Sequence, residues 1–274
     1  MSVSTYTLRE IYCYPIKSLG GIALTQATVL ERGLQYDRRW LLVDENHQFL
    51  TQRQNASMAL LHLKFVENGF EVRHIQKEIK PCFIPFEFES IGTVKATVWE
   101  DTCVAQLISP TIDAWFSEAL GISCKLVYMP LKSERPVHPK YTAGATKTVS
   151  FADAFPYLII GQAALDHLNE RLETPIPINR FRPNMVFTGG LPHEEDTWRQ
   201  VKIGEATFYG VKPCARCQVP TIDQNTGIMS KEPTRTLAKY RRKNNHIYFG
   251  ENLVADSFPK IIKVGDNIEV INYK

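Results

Sequence analysis

Short segments in which apolar and polar residues alternate fill residues 1–125, and similar segments return after residue 183. Alternation with a period of two is typical of strands that bury one face. Asn68-Gly69 stands between two such segments, and this dipeptide favours a hairpin turn. Many short strands are most readily buried by closing them into a barrel. The sequence therefore predicts a mainly β fold with a few helices (α+β), built from an N-terminal β-barrel-like unit and a second β-barrel unit.

The predicted strands are bounded by turn-forming residues and rich in β-branched and aromatic residues. One segment, RRWLLVDENHQFLTQR, is predicted to form two strands around a polar turn at Asp44–Gln48. The last, KIIKVGDNIEVINY, is predicted to form two strands around Gly265-Asp266. The others are TLREIYCYP, the hairpins LLHLKFVENGFEVRHI and GTVKATVWEDTCVAQLI, and then NMVFTGG, VKIGEATFYGVKP and QVPTID.

Helices are predicted at a few places between these strands. TIDAWFSEALG has its apolar residues at helical spacing and ends at Gly121, and QAALDHLNERLE carries leucines along one face. PTRTLAKYRRK predicts a short basic helix. The segment 129–148 is rich in Pro, Lys, Thr and Gly, which is typical of a linker or a mobile loop. We therefore predict domains at 1–125 and 149–274, joined by a linker at 126–148.

The overall composition excludes several classes of protein. Hydrophobic residues make up 44% and charged residues 22% of the chain, as in an ordinary soluble protein. The net charge of +3 is too small to require a nucleic-acid partner. No secretory signal or transit peptide is visible at the start, and the longest apolar run, FPYLIIGQAAL, is too short to span a membrane. The sequence therefore predicts a cytoplasmic protein without a membrane partner.

Cys214 and Cys217 form a C-x-x-C pair, which admits several interpretations. Two buried thiols without chemistry are one of them. Structural zinc needs a second ligand pair, and thioredoxin-like chemistry needs a helix where Pro220 stands, so both are disfavoured. A single activated thiolate near Arg216 and Lys212 remains. The scattered cysteines are predicted to be buried packing residues: Cys13, Cys82, Cys103 and Cys124.

The motifs around this cysteine pair resemble a known family. The strings NRFRPNMVFTGG, EDTW, CARCQVPTIDQNTG, EPTRTLAKYR and FGENLV occur in the order found in the MOSC domain. The strings YPIKSLGGI and ERGLQYDRRWLLVDENHQFLTQRQ resemble the β-barrel domain that precedes it in many members. The resemblance covers nearly the whole chain and is greatest to the molybdenum enzymes that reduce N-hydroxylated compounds.

The resemblance implies a molybdenum–molybdopterin (Mo-pterin) cofactor. Cys217 matches the cysteine that ligates molybdenum in the relatives, so it is the expected metal ligand and catalytic residue, and thiolate suits a soft metal centre. Cys214 is expected to have a packing role. The anionic cofactor needs cations and hydrogen-bond donors. The residues that match the family's cofactor contacts, or complete that set beside the cysteine, are Lys17, Ser18, Arg38, Arg182 and Arg216. Taken singly, each of these would also fit an ordinary surface or turn position.

Two further segments enter the functional expectation. The loop 149–157 corresponds to one that covers the cofactor in relatives; Ser150 and Asp153 are its polar residues, and Asp153 is included among the cofactor-binding residues. Backbone amides are an alternative source of contacts there. The basic segment RTLAKYRRK (235–243) is either a docking face for an acidic electron donor or a solvated helix face.

Two functions remain open. The first is a molybdenum-dependent oxidoreductase that reduces a small N-hydroxylated substrate. Because the sequence offers no cysteine set for an iron–sulfur cluster, its electrons would come from a separate electron-transfer protein. The second is a carrier that holds sulfur as a persulfide on Cys217, or that binds and transfers the cofactor without turnover.

Overall fold

The computed structural model of this protein describes residues 5–141 and 143–274 and is mainly β. Residues 1–4, in the stretch searched for a targeting signal, and Thr142, in the predicted linker, lie outside the described residues. The helices are α1 (Pro110–Leu120), α2 (Gln162–Asn169) and α3 (Thr234–Leu237). The strands are β1 (Tyr6–Cys13), β2 (Ile22–Leu24), β3 (Gln26–Leu30), β4 (Gly33–Leu34), β5 (Trp40–Val43), β6 (Leu61–Val66), β7 (Gly69–His74), β8 (Cys82–Pro85), β9 (Gly92–Val98), β10 (Asp101–Leu107), β11 (Lys125–Tyr128), β12 (Tyr157–Gly161), β13 (Met185–Thr188), β14 (Trp198–Ile203), β15 (Ala206–Ala215), β16 (Arg242–Lys243), β17 (His246–Ala255), β18 (Lys260–Lys263) and β19 (Asn267–Tyr273).

The C-terminal half is organised around a closed barrel. Its seven strands follow the order β12-β13-β1-β19-β14-β15-β17, and pairing of β12 with β17 closes the ring. β12 and β13 run parallel, and the other neighbours are antiparallel. Large apolar side chains fill the interior, among them Tyr157, Phe187, Trp198 and Phe208. Closure leaves this sheet with no open edge along the ring and buries its apolar face, as the strand pattern predicts.

The N-terminal half contains two smaller antiparallel sheets, β5-β11-β10-β9 and β6-β7-β8. A shared apolar core lies between them and includes the fully buried Trp40, Phe70 and Phe116. α1 contributes Phe116 to this core and packs against β11 and β8. The helix ends at Gly121, whose φ of +70° is the left-handed conformation that glycine favours at a helix end.

Strand pairing does not follow the sequence order of the two halves. β1 comes from the N-terminal half but pairs with β13 and β19 inside the barrel. β3 pairs with β18, near the end of the chain. Of the predicted linker, residues up to Tyr128 belong to β11, and Pro136 forms a β-bridge with Thr148. The domain limits at 125 and 149 stay a prediction, and the sheets themselves are continuous across the two halves.

Most predicted elements are confirmed, including α1, α2 and the hairpins β6–β7 and β9–β10. In the first hairpin the turn is formed by Glu67 and Asn68, while Gly69 begins β7. Asn68 has a φ of +61°, which explains why asparagine suits the turn. A side chain at Gly69 would lie 2.3 Å from the Ile84 carbonyl oxygen, so the glycine is needed for strand packing.

Three sequence-based predictions of local structure were wrong or only partly right. QVPTID was expected to be a strand, but Val219–Thr221 forms a 3-10 helix because Pro220 fits the first turn of a helix and cannot donate in a ladder. The second strand after Asp44–Gln48 is reduced to isolated bridges. The basic helix ends at Leu237, and Arg242–Lys243 is strand β16.

Among the described residues, no helix combines the length and apolar character needed to cross a membrane.

Candidate functional site

The pocket that contains the predicted site residues has a volume of about 260 Å³. It lies between loops of the N-terminal half and the ends of β15 and β17 of the barrel. The structure brings every predicted site residue to its wall: Lys17, Ser18, Arg38, Asp153, Arg182, Arg216 and Cys217. Residues 200 positions apart in the sequence therefore meet in one concave site.

Three of these residues have an unusual backbone conformation. Ser18, Arg38 and Arg182 have φ values of +69°, +49° and +55°. Non-glycine residues with positive φ cost of order 1–3 kcal/mol each and cluster at binding sites. Hydrogen bonds hold the loops in place: Arg38 N donates to the Tyr14 carbonyl at 2.8 Å, and the Ser18 carbonyl accepts from Gln52 Nε2 at 2.7 Å. The loops thus present these three candidate ligand-binding side chains from strained backbone positions.

Lys17 is a buried cation, with 5% of its surface exposed. Its Nζ donates to the Phe151 carbonyl at 2.8 Å and to Asp153 Oδ1 at 2.6 Å. Burial lowers the pKa of Lys17 from 10.5 to about 8, against the opposing attraction of Asp153. Desolvation in the pocket wall would raise the pKa of Asp153, but the positive charge of Lys17 and its hydrogen bond hold that pKa well below its usual value. This ion pair fixes a positive charge at the pocket wall.

Arg38 and Arg182 both lie against the ring of Tyr14. The Arg38 guanidinium is 4.2 Å and the Arg182 guanidinium 4.4 Å from the ring centroid. Arg38 Nη1 pairs with the buried Asp37 at 2.6 Å, and Asp37 also accepts from Tyr14 N at 2.8 Å. Burial, helped by the Arg38 charge, lowers the pKa of Arg182 to about 10. Asp37 forms its ion pair with Arg38, and Arg182 lies on the same ring, so positive charge is left available to an anionic ligand.

The cysteine pair is divided between two environments. Cys217 follows β15 and is exposed at the pocket, whereas Cys214 is half-buried against the apolar cluster that contains Phe181. Burial raises the pKa of Cys214, although Arg216 opposes this shift. Cys214 packs against this cluster, as expected, but it also lines the pocket, so a purely packing role stays a prediction. The four scattered cysteines are also buried, as predicted: Cys13, Cys82, Cys103 and Cys124.

Arg216 is directed at the first cysteine and not the second. Its Nη1 donates to Cys214 Sγ at 3.0 Å and its Nη2 to the Phe181 carbonyl at 2.7 Å. The guanidinium is therefore directed away from the Cys217 thiol, and an activated thiolate at Cys217 stays a prediction. Its Nε is buried and has no hydrogen-bond partner within the described ranges. That donor is available to a ligand acceptor.

The loop 149–157 is held from behind by Arg135, a buried residue that the sequence did not identify. Its guanidinium donates to the carbonyls of Ser150 at 3.0 Å and of Asp153 at 2.6 Å. Ser150 is fully buried and accepts from Ala152 N, so it does not face the pocket. Asp153 is the residue of the loop that presents a charge there.

Two more cations in the wall were missed by sequence reasoning. Arg53 and Lys212 line the pocket from opposite halves of the chain. The side chain of Gln218 donates to the Arg53 carbonyl at 2.9 Å and so ties the two halves together. In the sequence, Lys212 is distinguished only by its closeness to the cysteines, and Arg53 lies in TQRQ (residues 51–54) without any distinguishing spacing. With them the pocket wall holds six Lys and Arg side chains and one carboxylate, that of Asp153.

This donor set fits an anionic organic cofactor that carries a soft metal. Among the described residues, no group of three or more His, Cys, Asp or Glu side chains is arranged to hold a metal ion. A metal here would therefore take Cys217 as its protein ligand and depend on an organic group for others. The excess of cations and the unpaired Arg216 Nε suit phosphate and carbonyl oxygens on such a group.

The class of protein is shown by two family matches. Residues 5–123 match the MOSC N-terminal beta barrel domain, and residues 146–269 match the MOSC domain. Together the two matches cover most of the chain in the order that the motifs predict. The chain belongs to the family of proteins in which a MOSC N-terminal beta barrel domain precedes a MOSC domain.

Individual relatives fall into two groups. Mitochondrial amidoxime-reducing component 1 of Mus musculus is 29% identical over 97% of this chain and 82% of its own length. Molybdenum cofactor sulfurase of Oryza sativa subsp. japonica is 30% identical over 91% of this chain, which spans 32% of that sulfurase. The solved structure of the YUAD protein from Bacillus subtilis is similar over 96% of this chain and 94% of its own, with 12% identity and a TM-score of 0.45.

Proposed function

We propose that this protein is a molybdenum-cofactor-dependent oxidoreductase that reduces small N-hydroxylated compounds with electrons from a separate donor protein. One observation carries the proposal: an exposed thiol, Cys217, lies in a pocket whose wall holds six cationic side chains and one carboxylate. The similarity to an amidoxime-reducing component, which covers 97% of this chain and 82% of the relative, supports an enzyme of this kind.

The residues of the pocket would divide the work of holding the cofactor. Cys217 would bind the molybdenum through its thiolate. Arg38 and Arg182, side by side on the Tyr14 ring, would bind phosphate or pterin oxygens, and Lys17 would place a further charge beside them. When bound, the cofactor supplies two-electron redox chemistry, and the protein provides binding, orientation and electrostatic stabilisation.

Two residues of the proposed cofactor site are not cations: Ser18 is uncharged, and Asp153 is acidic. Ser18 has a strained backbone that is fixed by Gln52, so its hydroxyl is presented by a rigid loop. Asp153 pairs with Lys17 and limits the local excess of positive charge. Asp153 would orient Lys17 toward the ligand rather than bind an anion directly.

An acidic electron-transfer protein is the partner that the surface near Cys217 would suit. Exposed cations begin within α3 and continue to strand β16 of the hairpin β16–β17: Arg235, Lys239, Arg242 and Lys243. That hairpin is joined to the site, because Arg216 N donates to the Ile247 carbonyl of β17 at 2.7 Å. A donor bound at these cations would lie close to the cysteine loop.

The docking proposal predicts a salt-dependent reaction. Turnover with the natural donor should fall as ionic strength rises, because exposed charges are screened within about 10 Å at 0.1 M salt. Arg242→Glu should raise the KM for the donor several-fold. Lys95→Glu changes an equally exposed cation on β9 of the N-terminal half and should leave that KM unchanged. A flat salt profile or equal effects of both variants would exclude docking at this surface.

A sulfur carrier is the second candidate, and the exposure of Cys217 together with the sulfurase relatives favours keeping it. Metal analysis distinguishes the two. Protein produced in a host that makes the cofactor should contain near-stoichiometric molybdenum, which Cys217→Ser abolishes and Cys214→Ser largely retains. Molybdenum absent from all three proteins, in a host that loads a control molybdoenzyme, would refute the oxidoreductase. A persulfide assay on Cys217 would then test the carrier.

A further inference from the structure

Trp99 occupies a position in the N-terminal half that the fold alone does not explain. It is the first of two residues, Trp99 and Glu100, that connect β9 to β10. Its φ is +58°, and Glu100 does not share this conformation. Two-residue hairpin connections with positive φ at the first position strongly favour glycine there. A large aromatic residue at such a position is strained and needs another reason to be present.

The exposure of Trp99 adds to the anomaly. The residue is 45% exposed, whereas Trp40 and Trp198 are fully buried in the two main cores. Its ring contacts Phe49 at a centroid distance of 5.1 Å, and Phe49 lies at the edge of the apolar cluster that contains Val98. Trp99 itself is a member of neither main core, so its partial burial at the edge of the fold does not require a residue of this size at the hairpin tip.

The contacts of Trp99 lead to the pocket. Its Nε1 donates to Asp153 Oδ1 at 3.2 Å, and the Arg53 guanidinium lies 3.9 Å from its ring centroid. Asp153 and Arg53 both line the pocket, and Asp153 also holds Lys17. The indole is therefore fixed between two groups of the pocket wall that come from different halves of the chain.

The hairpin itself is attached to the same wall. Phe49 N donates to the Thr97 carbonyl at 3.1 Å, and Thr97 N donates to the His47 carbonyl at 3.0 Å. The segment that makes these bonds continues directly into Arg53. The position of the hairpin tip is thus set by backbone bonds. The indole lies beside the pocket, against Asp153 and Arg53 of its wall, and part of its surface is open to solvent.

We propose that Trp99 is a specificity-determining residue: its indole forms an apolar wall at the pocket entrance and favours substrates that carry a flat apolar body beside the group that reacts. This inference rests on the function proposed above and adds the class of substrate to it. An aromatic body would pack against the exposed part of the indole, while its polar group faces the cofactor held in the pocket. A small aliphatic substrate would enter without touching Trp99.

Binding by calorimetry tests this directly, with benzamidoxime and acetamidoxime as probes on the cofactor-loaded protein. The two compounds share the N–O group, and benzamidoxime alone has a ring. Trp99→Gly should weaken benzamidoxime binding about 3- to 10-fold and leave acetamidoxime binding within about twofold. Its Tm should be unchanged or higher, because glycine relieves the strain at positive φ. Trp99→Phe should keep most of the preference for the ring.

Phe83→Ala provides the matched control: Phe83 is 47% exposed on β8, and unlike Trp99 it has no hydrogen bond or ring contact with Asp153 or Arg53 among the described residues. It should not alter the binding of either compound. The inference is overturned if Trp99→Gly binds both compounds as the wild type does, if it weakens both equally, or if benzamidoxime does not bind. It is also overturned if Trp99→Gly lowers the Tm by several degrees, which would show a structural role.

Reduction assays on the same proteins separate this inference from the proposed function. If the wild type and Trp99→Gly reduce both amidoximes with the same preference between them, the proposed reaction is supported and the role of Trp99 is refuted. Binding that depends on Trp99 without reduction of either compound would support the apolar wall and refute the proposed reaction.

Discussion

Replacing Lys17 by methionine should remove a pH-dependent destabilisation from the cofactor-free protein. The Lys17 ammonium is buried with Asp153 as its ion-pair partner, and burial lowers its pKa from 10.5 to about 8. A lowered lysine pKa means that the folded protein binds the proton less tightly than the unfolded chain does. Folding therefore carries an electrostatic cost wherever Lys17 is protonated in both states.

The magnitude follows from the size of the shift. The fall from 10.5 to about 8, at ~1.36 kcal/mol per pKa unit, corresponds to about 3 kcal/mol. Below about pH 8 this cost is fully present, since Lys17 is protonated in the folded and the unfolded protein. Between about pH 8 and 10.5 the unfolded chain binds more protons, so the wild-type stability rises with pH. Above that window the cost is gone.

Urea unfolding of the cofactor-free proteins at a series of pH values measures this effect. The free energy of unfolding of the wild type minus that of Lys17→Met should increase by about 3 kcal/mol from pH 8 to pH 10.5, because groups common to both proteins cancel. Lys95→Met removes an exposed lysine and should give a flat difference. A flat difference for Lys17→Met as well would refute the account of a desolvated ammonium in the pocket.

Further expectations follow from the pocket and the barrel. Arg182→Ala should leave the Tm of the cofactor-free protein unchanged or higher, because burial penalises this charge, and should weaken cofactor retention about tenfold by molybdenum analysis. Arg135→Met should lower the free energy of unfolding in urea by about 3 kcal/mol, since it leaves buried loop carbonyls unpaired, and should speed cofactor loss. Gly250→Ala should lower the Tm by several degrees in calorimetry, because its φ is +82° and a Cβ would lie 2.7 Å from Ile160 Cγ1. Gly265→Ala, with a similar φ but open space around it, should cost less.

The site residues show how far motif-based reasoning extended. Lys17, Arg38 and Arg182 were proposed because they match family motifs, and the structure places them in one pocket. Arg53 and Trp99 have no such spacing, and only the fold brings them to Asp153. Arg216 was named correctly as a pocket residue, but its guanidinium turns to Cys214. Side-chain direction depends on the surrounding packing, which adjacency in sequence does not encode.

The local chain largely determined the secondary structure. Alternating segments became strands because a period of two places apolar residues on one face. Gly121 ended α1 and Asn68 formed a hairpin turn, since both tolerate positive φ. QVPTID failed because Pro220 overrode the β-branched residues beside it. Where a single residue restricts the backbone strongly, sequence was sufficient.

The tertiary structure alone decided which strands pair and where the site forms. β1 was recognisable as a strand, but its place between β13 and β19 depends on burying Tyr6, Leu8 and Ile11 in the C-terminal barrel. Such non-local pairing is selected by total burial and by closure of the barrel, not by local propensity. In the closed barrel, the cysteine loop that follows β15 lies next to the loops around Lys17 and Arg38, and these loops together form the cationic pocket.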